Sequence, residues 1–507
     1  MNLSSIVQRN ALWDPKSTAV ICTEKDIRYT YSELNTLINR VGNSLLDMGV
    51  EKGDRVAMYL PNSPEFIISH FAIARIGAIS VPFNIVFKGK EIEYIVNNAR
   101  PKVLIAAANE ANANVAGILS QLTSVEKIVT LGESTLPNAV TFESLLSNSK
   151  DELTIVECDP SDTISILYTS GTTGQPKGAM MTHYNYMANA ELMNHHVLHI
   201  NDQDRFYTHT PYSHIFYVFA VLGPMSAGAA NVVSPRFVTD QALANISKYK
   251  VTHYAGVPTM YIYMLNEFSP EKYDVSSWRF AQAAGASMPS EHINSIEETF
   301  GVKYCECYGA TETSSTCTYG RIGHGKVGSI GPVAQGWQAR VLDDDGRELG
   351  AEEAGELSVK GQGVFKGYWE MPDKTKAVLS DDGWFKTGDM VKCDEDGYYF
   401  IVDRKNDMIL SGGYNVYPRE IEEVLYTNPK VLEAAVIGIK DKEKGEIPKA
   451  YITLKVDAQA DPEEIVAFCK ERMAGYKLPR TVEIVKELPK NPTGKILKRV
   501  IRDEWNK

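Results

Sequence analysis

Residues 169–178 combine four hydroxyl side chains, three glycines and one lysine directly after a strand-like run at 163–168. Such a loop offers many N–H and O–H donors, and its glycines let the backbone approach an anion closely. The spacing is not that of a Walker A loop, because Pro176 and Gly178 break the required order Gly-Lys-Ser/Thr around Lys177. The segment therefore predicts a triphosphate-binding loop, with an ordinary surface turn as the alternative.

Further motifs follow this loop in a fixed order along most of the chain. Together with 168–178, they resemble the motifs of the adenylate-forming superfamily, which holds acyl-CoA synthetases, adenylation domains of peptide synthetases and firefly luciferase. The resemblance is strongest to fatty-acyl-CoA ligases. The motifs lie at 285–289 (Gly-Ala-Ser-Met-Pro), 308–312 (Tyr-Gly-Ala-Thr-Glu), 355–357, 383–389, 403–404, 411–418 and 489–495.

The resemblance implies a site for ATP and an adenylating step. Tyr308 would stack on adenine, Asp389 and Arg404 would hold the ribose, and Thr311 would donate to the α-phosphate. Glu312 would bind Mg²⁺, which prefers carboxylate and phosphate oxygens. The remaining ATP-binding positions implied by the motifs are Thr169, Ser170, Gly171, Thr172, Thr173, Gly174, Lys177, Gly285, Ala286, Ser287 and Gly309.

The resemblance also implies residues for each of the two reaction steps, adenylation and thioester formation, and for the domain movement between them. Lys495, in a Pro/Gly-rich loop, would stabilise the charge that develops as the acid attacks the α-phosphorus. Gly412 and Gly413 lack side chains and would line a narrow tunnel for the pantetheine of coenzyme A. In relatives the small C-terminal domain swings between two poses. Asn406 occupies the hinge position, where relatives usually carry Asp or Lys.

The identity of the acid is read from the segment at 210–218. It contains no carboxylate to hold a substrate amine, which disfavours an amino acid. It resembles instead the stretch of fatty-acyl and aryl-CoA ligases whose histidine, here His214, gates the acyl pocket. Phe216 and Tyr217 stand where the family usually has a glycine, which leaves the depth of the pocket open. His214 and Tyr217 are assigned to the acyl pocket, with an ordinary packed histidine as the alternative for His214. A fatty acid is favoured, an aryl or other small organic acid comes second, and a stand-alone enzyme loading a carrier protein is a third interpretation.

The sequence pattern predicts an α/β fold with a smaller α+β C-terminal domain, and the resemblance implies that this domain is mobile. Thr30 and Glu33 form a predicted capping box. Helices and strands then alternate, which predicts a mostly parallel sheet with helices on both faces. The strands are expected at 55–60, 78–81 and 102–106, and the helices at 64–76 and 91–97. The predicted domains are 1–403 with a β-rich part at about 320–403, a hinge at 404–407, and 408–507.

Composition excludes several other classes of protein. A formal net charge of −12 gives no electrostatic footprint for nucleic acid. The seven cysteines contain no CxxC pair, which favours free thiols over a zinc site. The first residues lack a secretory pattern and the apolar run at 218–233 is too short and broken to cross a membrane, so we expect a cytoplasmic enzyme. Its partners are expected to be a small carboxylic acid, ATP and coenzyme A, with a homodimer as an open alternative.

Overall fold

The computed structural model describes residues 1–169, 175–286, 288–320, 325–405, 407–411, 414–441, 444–491 and 494–505. The capping box predicted near the N-terminus is confirmed at the start of helix Tyr31–Asp47. The Thr30 hydroxyl accepts a hydrogen bond from the backbone N–H of Glu33, and the Glu33 carboxylate accepts one from the N–H of Thr30 at 2.8 Å. Two N–H groups that the helix itself cannot pair are thereby satisfied.

Within the described residues, the first sheet has eight strands. Neighbouring strands are parallel except where Thr163–Thr169, Lys177–Thr182 and Gly367–Tyr368 pair antiparallel. Helices Tyr31–Asp47 and Pro64–Arg75 cover one face and helix Gly89–Ala99 covers the other. The strands run in the order Gly367–Tyr368, Lys177–Thr182, Thr163–Thr169, Ile79–Pro82, Arg55–Tyr59, Val103–Ala107, Lys127–Leu131 and Val140–Thr141.

The second sheet also has eight strands in the described part of the chain, and its central strands are parallel. One face packs into the largest buried apolar cluster, which it shares with the first sheet, and the other packs on helices Thr239–Tyr249 and Pro258–Glu267. The strand order is Thr318–Tyr319, Lys303–Tyr308, Phe280–Ala283, His253–Gly256, Arg205–Thr208, Ala230–Val233, Thr18–Cys22 and Ile27–Thr30.

Two smaller sheets complete the described fold. The third is antiparallel and contains Trp337–Leu342, Gly355–Gly361, Phe385–Cys393 and Tyr399–Arg404. The fourth has its own buried core and contains Tyr414–Val416, Ile409–Ser411, Gly445–Leu454, Val431–Asp441 and Thr481–Ile484. The predicted α/β fold, with a large N-terminal region of mixed sheets and a smaller C-terminal region, is confirmed.

Helices fill the connections between strands. Those not yet given are Ser5–Trp13, Ala108–Asn114, Phe142–Leu146, His183–Leu192, Gly223–Ser226, Ser290–Phe300, Pro372–Lys376, Pro418–Tyr426, Pro462–Lys470 and Lys498–Val500. Short 3₁₀ segments occur at Ala116–Gln121 and Thr311–Thr313, and π-helical segments at Met193–Leu198, Val218–Leu222 and Ile501–Trp505. In the described residues no helix has both the length and the apolar character to cross a bilayer.

Candidate active site

The hairpin of Thr163–Thr169 and Lys177–Thr182 fixes both ends of the predicted phosphate loop. Thr169 and Lys177 are direct partners across the two antiparallel strands. The Tyr94 hydroxyl donates to the carbonyl of Pro176 at 2.9 Å and so holds the second end. Five predicted ATP-binding residues, Ser170, Gly171, Thr172, Thr173 and Gly174, lie outside the described residues, and their roles stay predictions.

Tyr368 links the lysine of this hairpin to the predicted metal ligand. Its hydroxyl donates to Oε1 of Glu312 at 2.6 Å and accepts from Nζ of Lys177 at 3.2 Å. The Lys177 ammonium also lies 4.3 Å from the centre of the Tyr368 ring. Burial and the Glu312 carboxylate raise the pKa of Tyr368, so the phenol stays protonated and can donate. Pairing of Gly367–Tyr368 with Lys177–Thr182 places this ring between the two motifs.

A tight turn places Thr311 and Glu312. Gly309 packs so closely on the turn that a Cβ at this position would lie 1.4 Å from the carbonyl oxygen of Ser315. The side chain of Asn189 donates to the carbonyls of Thr313 at 2.9 Å and Ser314 at 2.6 Å, which anchors the turn from the neighbouring helix. The glycine at 309 therefore has a structural cause of its own, and its predicted contact with ATP stays a prediction.

Tyr308, Asp389 and Arg404 lie together, as the predicted adenine and ribose site requires. The Tyr308 hydroxyl donates to Oδ2 of Asp389 at 2.6 Å, and Nε of Arg404 lies 3.4 Å from Oδ1. Asp389 and Arg404 are direct partners on adjacent strands of the third sheet. The Asp389 carboxylate is the main cause that raises the pKa of Arg404, while burial and Asp389 raise that of Tyr308. The cluster can present both a carboxylate and a guanidinium to a sugar.

The predicted adenine-side loop rests on a buried carboxyl group that sequence reasoning missed. Gly285 has φ +83°, a left-handed conformation that glycine adopts without strain. Ala286 follows it, and Ser287 lies outside the described residues. The backbone N–H of Met288 donates to Oε1 of Glu306 at 2.9 Å. Burial raises the pKa of Glu306 to about 7.

Lys495 projects from a tight turn that reaches the large domain. The turn is closed because the N–H of Lys495 donates to Oδ1 of Asn491 at 2.8 Å and the N–H of Asn491 donates to the Lys495 carbonyl at 2.8 Å. Gly494 packs on helix Pro258–Glu267, where a Cβ would lie 3.2 Å from Oγ1 of Thr259. The structure thus has the lysine loop docked on the N-terminal region.

The charge environment of Lys495 connects it with the ribose cluster. Burial, followed by the guanidinium of Arg404, lowers the pKa of Lys495 to about 8, with Asp389 acting in the opposite direction. The Lys495 charge in turn contributes, after burial, to lowering the pKa of His214 to about 4. The Lys495 ammonium therefore interacts electrostatically both with the neutral imidazole of His214 and with the ribose cluster.

Tyr217 lies one turn beyond His214 and packs in a cluster of aromatic rings. Its backbone N–H donates to the His214 carbonyl at 3.0 Å. Its ring contacts Phe66 at 5.5 Å, His70 at 5.0 Å and Tyr212 at 5.5 Å between centroids. Helix Pro64–Arg75 supplies Phe66 and His70, so the bulk of Tyr217 fills the space between that helix and residues 210–218, here called the gate segment.

The predicted pantetheine tunnel and hinge fall on residues that the structure does not describe. Gly412, Gly413 and Asn406 lie outside the described residues, and their assignments stay predictions. Around them, Ile409–Ser411 and Tyr414–Val416 form a hairpin. The N–H of Arg419 donates to Oδ2 of Asp403 at 3.1 Å, which ties the C-terminal region to the third sheet.

Sequence reasoning missed Tyr368 and Glu306 for different reasons. Tyr368 belongs to a two-residue strand that is paired far from its place in the chain, so spacing gave no signal. Glu306 stands inside the buried strand Lys303–Tyr308, and a carboxyl group within an otherwise apolar run was a usable signal. Both residues support neighbouring motif residues through hydrogen bonds.

Comparisons with family models, curated proteins and solved structures all match this chain to AMP-binding enzymes and CoA ligases. Residues 7–369 match the family described as AMP-binding enzyme, and residues 420–495 match the AMP-binding enzyme C-terminal domain. A long-chain-fatty-acid–CoA ligase of Bacillus subtilis (strain 168) is 36% identical, covering 99% of this chain and 94% of that protein. A crotonobetaine/carnitine–CoA ligase of Escherichia coli O9:H4 (strain HS) is 34% identical over 96% of each chain. The crystal structure of the anthranilate CoA ligase AuaEII with anthranoyl-AMP superposes with a TM-score of 0.93 at 31% identity, covering 99% of this chain and 96% of that chain.

Proposed function

Because the chain belongs to the family of AMP-binding enzymes and is an AMP-forming acyl-CoA synthetase, we propose that it activates a fatty acid through the residues described above. The overall reaction converts a carboxylic acid, ATP and coenzyme A into acyl-CoA, AMP and diphosphate. The observation that carries the residue assignment is the docking of the Lys495 turn on helix Pro258–Glu267, where Lys495 interacts electrostatically with Arg404, Asp389 and His214.

In the first step, a carboxylate oxygen of the acid attacks the α-phosphorus and the bond to diphosphate breaks. Negative charge shifts onto the phosphate oxygens, where a positioned ammonium lowers the barrier without forming a covalent bond. Lys495 is suited to this task because a pKa of about 8 leaves it mostly charged near neutral pH. Asp389 and Arg404 would orient the ribose, and Tyr308 would lie against the adenine.

Glu312 fits a magnesium ion that is held mainly by the nucleotide. Mg²⁺ in such sites takes one or two carboxylates and completes its coordination with phosphate oxygens and water. Among the described residues, no group of three or more His, Cys, Asp or Glu side chains could hold a metal without a substrate. The Tyr368 hydroxyl donates a hydrogen bond to Oε1 of Glu312 at 2.6 Å and so fixes the orientation of the carboxylate. The ion would supply charge neutralisation at the phosphates.

In the second step, the thiol of coenzyme A attacks the acyl carbonyl, AMP leaves and the thiol proton is released to solvent. We propose that Gly412 and Gly413 line the path of the pantetheine arm. We further propose that residues 408–507 swing as a domain about 404–407, with Asn406 as the hinge, against a domain formed by 1–403. Such a swing would move Lys495 away from the carbonyl once the adenylate has formed.

The choice of a fatty acid rests on the gate segment and on the relatives. The Bacillus subtilis relative is named for long-chain fatty acids, and the segment around His214 offers no carboxylate to hold an amine. An aryl or other small organic acid is the second candidate, because the AuaEII enzyme named above acts on anthranilate. A cytoplasmic location fits the seven free cysteines, which persist in a reducing compartment. Homodimer formation stays a prediction.

AMP release with a panel of acids, with and without coenzyme A, tests this function. Saturated fatty acids of increasing length, benzoate and small organic acids are compared. The proposal expects fatty acids to give the highest kcat/KM and free coenzyme A to be required for sustained turnover. If AMP is released only with a carrier protein, the enzyme loads a carrier and does not ligate coenzyme A. If benzoate is preferred, the substrate is an aryl acid and not a fatty acid.

A further inference from the structure

Gln282 has a buried side-chain amide for which the described residues supply no hydrogen-bond partner. The residue is 1% exposed, and neither Oε1 nor Nε2 is paired. A buried amide with both ends unpaired destabilises the fold, because its lost hydration is not replaced. A leucine of similar volume would fill the same place without this penalty, so the fold itself gives no reason for an amide here.

The strand geometry places this amide near the predicted adenine-side loop. Gln282 is the penultimate residue of strand Phe280–Ala283, which leads directly into the adenine-side loop at Gly285. Its direct neighbours on the adjacent strands are Ala255 and Cys305. At about 3.3 Å per residue, Gln282 lies about 10 Å along the chain from Gly285. The amide is therefore close to the edge of the sheet where the site residues gather.

The side chain points to the face of the sheet that carries the gate segment. Alternate residues of a strand point to opposite faces. Ala281 and Ala283 pack into the cluster on the far face, around Tyr254 and Tyr261. Ala255 and Cys305 instead join the large cluster that contains the residues following His214. Gln282 therefore points to the face of the sheet that packs into this large cluster, to which residues 215–222 also belong.

We propose that the acyl pocket selects a carboxylic acid that carries a hydroxyl or carbonyl substituent on its chain, which pairs with the Gln282 amide. This inference rests on the proposed function and narrows its substrate class from fatty acids to oxygenated acids. A hydroxyl can donate to Oε1 or accept from Nε2, and a carbonyl accepts from Nε2. A neutral substituent fits because a charged group would need a counter-ion to offset its burial, and an amide supplies none.

The direct test compares acids of one chain length that differ in a single oxygen. Octanoate, 3-hydroxyoctanoate, 3-oxooctanoate and 8-hydroxyoctanoate are assayed for acid-dependent diphosphate release. The proposal expects at least one oxygenated acid to exceed octanoate in kcat/KM by about tenfold, since a site built to pair a polar group discriminates against its absence. Octanoate equal to or better than every oxygenated acid overturns the inference.

Two variants assign the effect to the amide. Gln282→Leu should remove the preference and lower kcat/KM for the favoured acid by about tenfold, while octanoate is used as well as before or better. Asn231→Leu is the matched control, since Asn231 is 1% exposed, has an unpaired Nδ2 and lies on a more distant strand of the same sheet. Its acid preference should equal that of the wild type. A preference that survives in Gln282→Leu, or that is lost equally in Asn231→Leu, overturns the assignment.

The outcomes separate this inference from the function on which it rests. If no acid in either panel supports AMP formation, the proposed function fails. If octanoate is activated well but the oxygenated acids have no advantage, only the inference fails. Should Gln282→Leu not fold, Gln282→Met tests the same loss of the amide with an unbranched side chain, and the wild-type panel decides independently of both variants.

Discussion

Replacing Tyr368 with phenylalanine removes a hydroxyl that joins the phosphate-loop hairpin to Glu312. The lost hydrogen bond is a 2.6 Å contact from a phenol to Oε1 of a carboxylate. Hydrogen bonds to charged groups contribute about 1.5–3 kcal/mol, which corresponds to about 10–150-fold in an equilibrium constant. The ring keeps its packing on Phe365, at 4.9 Å between centroids, and its contact with Lys177. The fold should therefore change little.

The effect of Tyr368→Phe should appear as a higher requirement for magnesium. Groups that orient a metal ligand typically change metal affinity or activity by about 10–100-fold when removed. Acid-dependent exchange of labelled diphosphate into ATP is measured while free Mg²⁺ is varied at saturating ATP and acid. Tyr94→Phe is the control, because it removes a hydroxyl that donates to a neutral carbonyl of the same hairpin. Superimposable Mg²⁺ titrations for Tyr368→Phe and wild type, or equal shifts in both variants, would refute the role of Tyr368.

Three further predictions follow from the site. The kcat/KM for ATP in adenylation should fall as the pH rises through about 8, because Lys495 loses its charge there. Lys495→Arg should move this fall to higher pH, and a flat profile between pH 7 and 10 contradicts the prediction. Gly309→Ala should abolish adenylation and lower the unfolding midpoint, because its Cβ would lie 1.4 Å from the Ser315 carbonyl oxygen; a variant as stable and active as wild type contradicts it. Tyr217→Gly should lower the free energy of unfolding by about 3–5 kcal/mol and shift preference toward bulkier or longer acids, with an unchanged acid profile as the contrary result.

Much of the fold could be predicted because local signals coincide with its elements. The strands expected at 55–60, 78–81 and 102–106 are Arg55–Tyr59, Ile79–Pro82 and Val103–Ala107. Their boundaries differ by one residue because apolar alternation marks where a strand is buried and not where its pairing ends. Helix Pro462–Lys470 is followed by a turn in which the Arg472 and Met473 N–H groups both donate to the Cys469 carbonyl, so apolar residues beyond Lys470 do not mark further helix.

The site residues that belong to motifs were predictable from the sequence. The residues whose contacts depend on how distant strands pair were less predictable. Tyr308, Asp389 and Arg404 come together from distant motifs as the resemblance implies. The same motifs give no hint that Tyr368 would reach Glu312, because that contact depends on pairing between Gly367–Tyr368 and Lys177–Thr182. The sequence also gives no signal for the unpaired amide of Gln282, because whether a side chain has a hydrogen-bond partner depends on the folded sheet.

The central claim is that Lys495 serves adenylation alone, and timing the two half-reactions of Lys495→Ala tests it most directly. Diphosphate release from acid and ATP measures the first step, and thioester formation from a synthetic acyl-adenylate and coenzyme A measures the second. The account predicts a loss of about 10²–10³-fold or more in the first step, by analogy with the loss of one oxyanion donor. Thioester formation should remain close to the wild-type rate, because the proposed swing would have moved the lysine away from the carbonyl by then. Equal slowing of both steps would contradict the account and require one fixed geometry for both reactions.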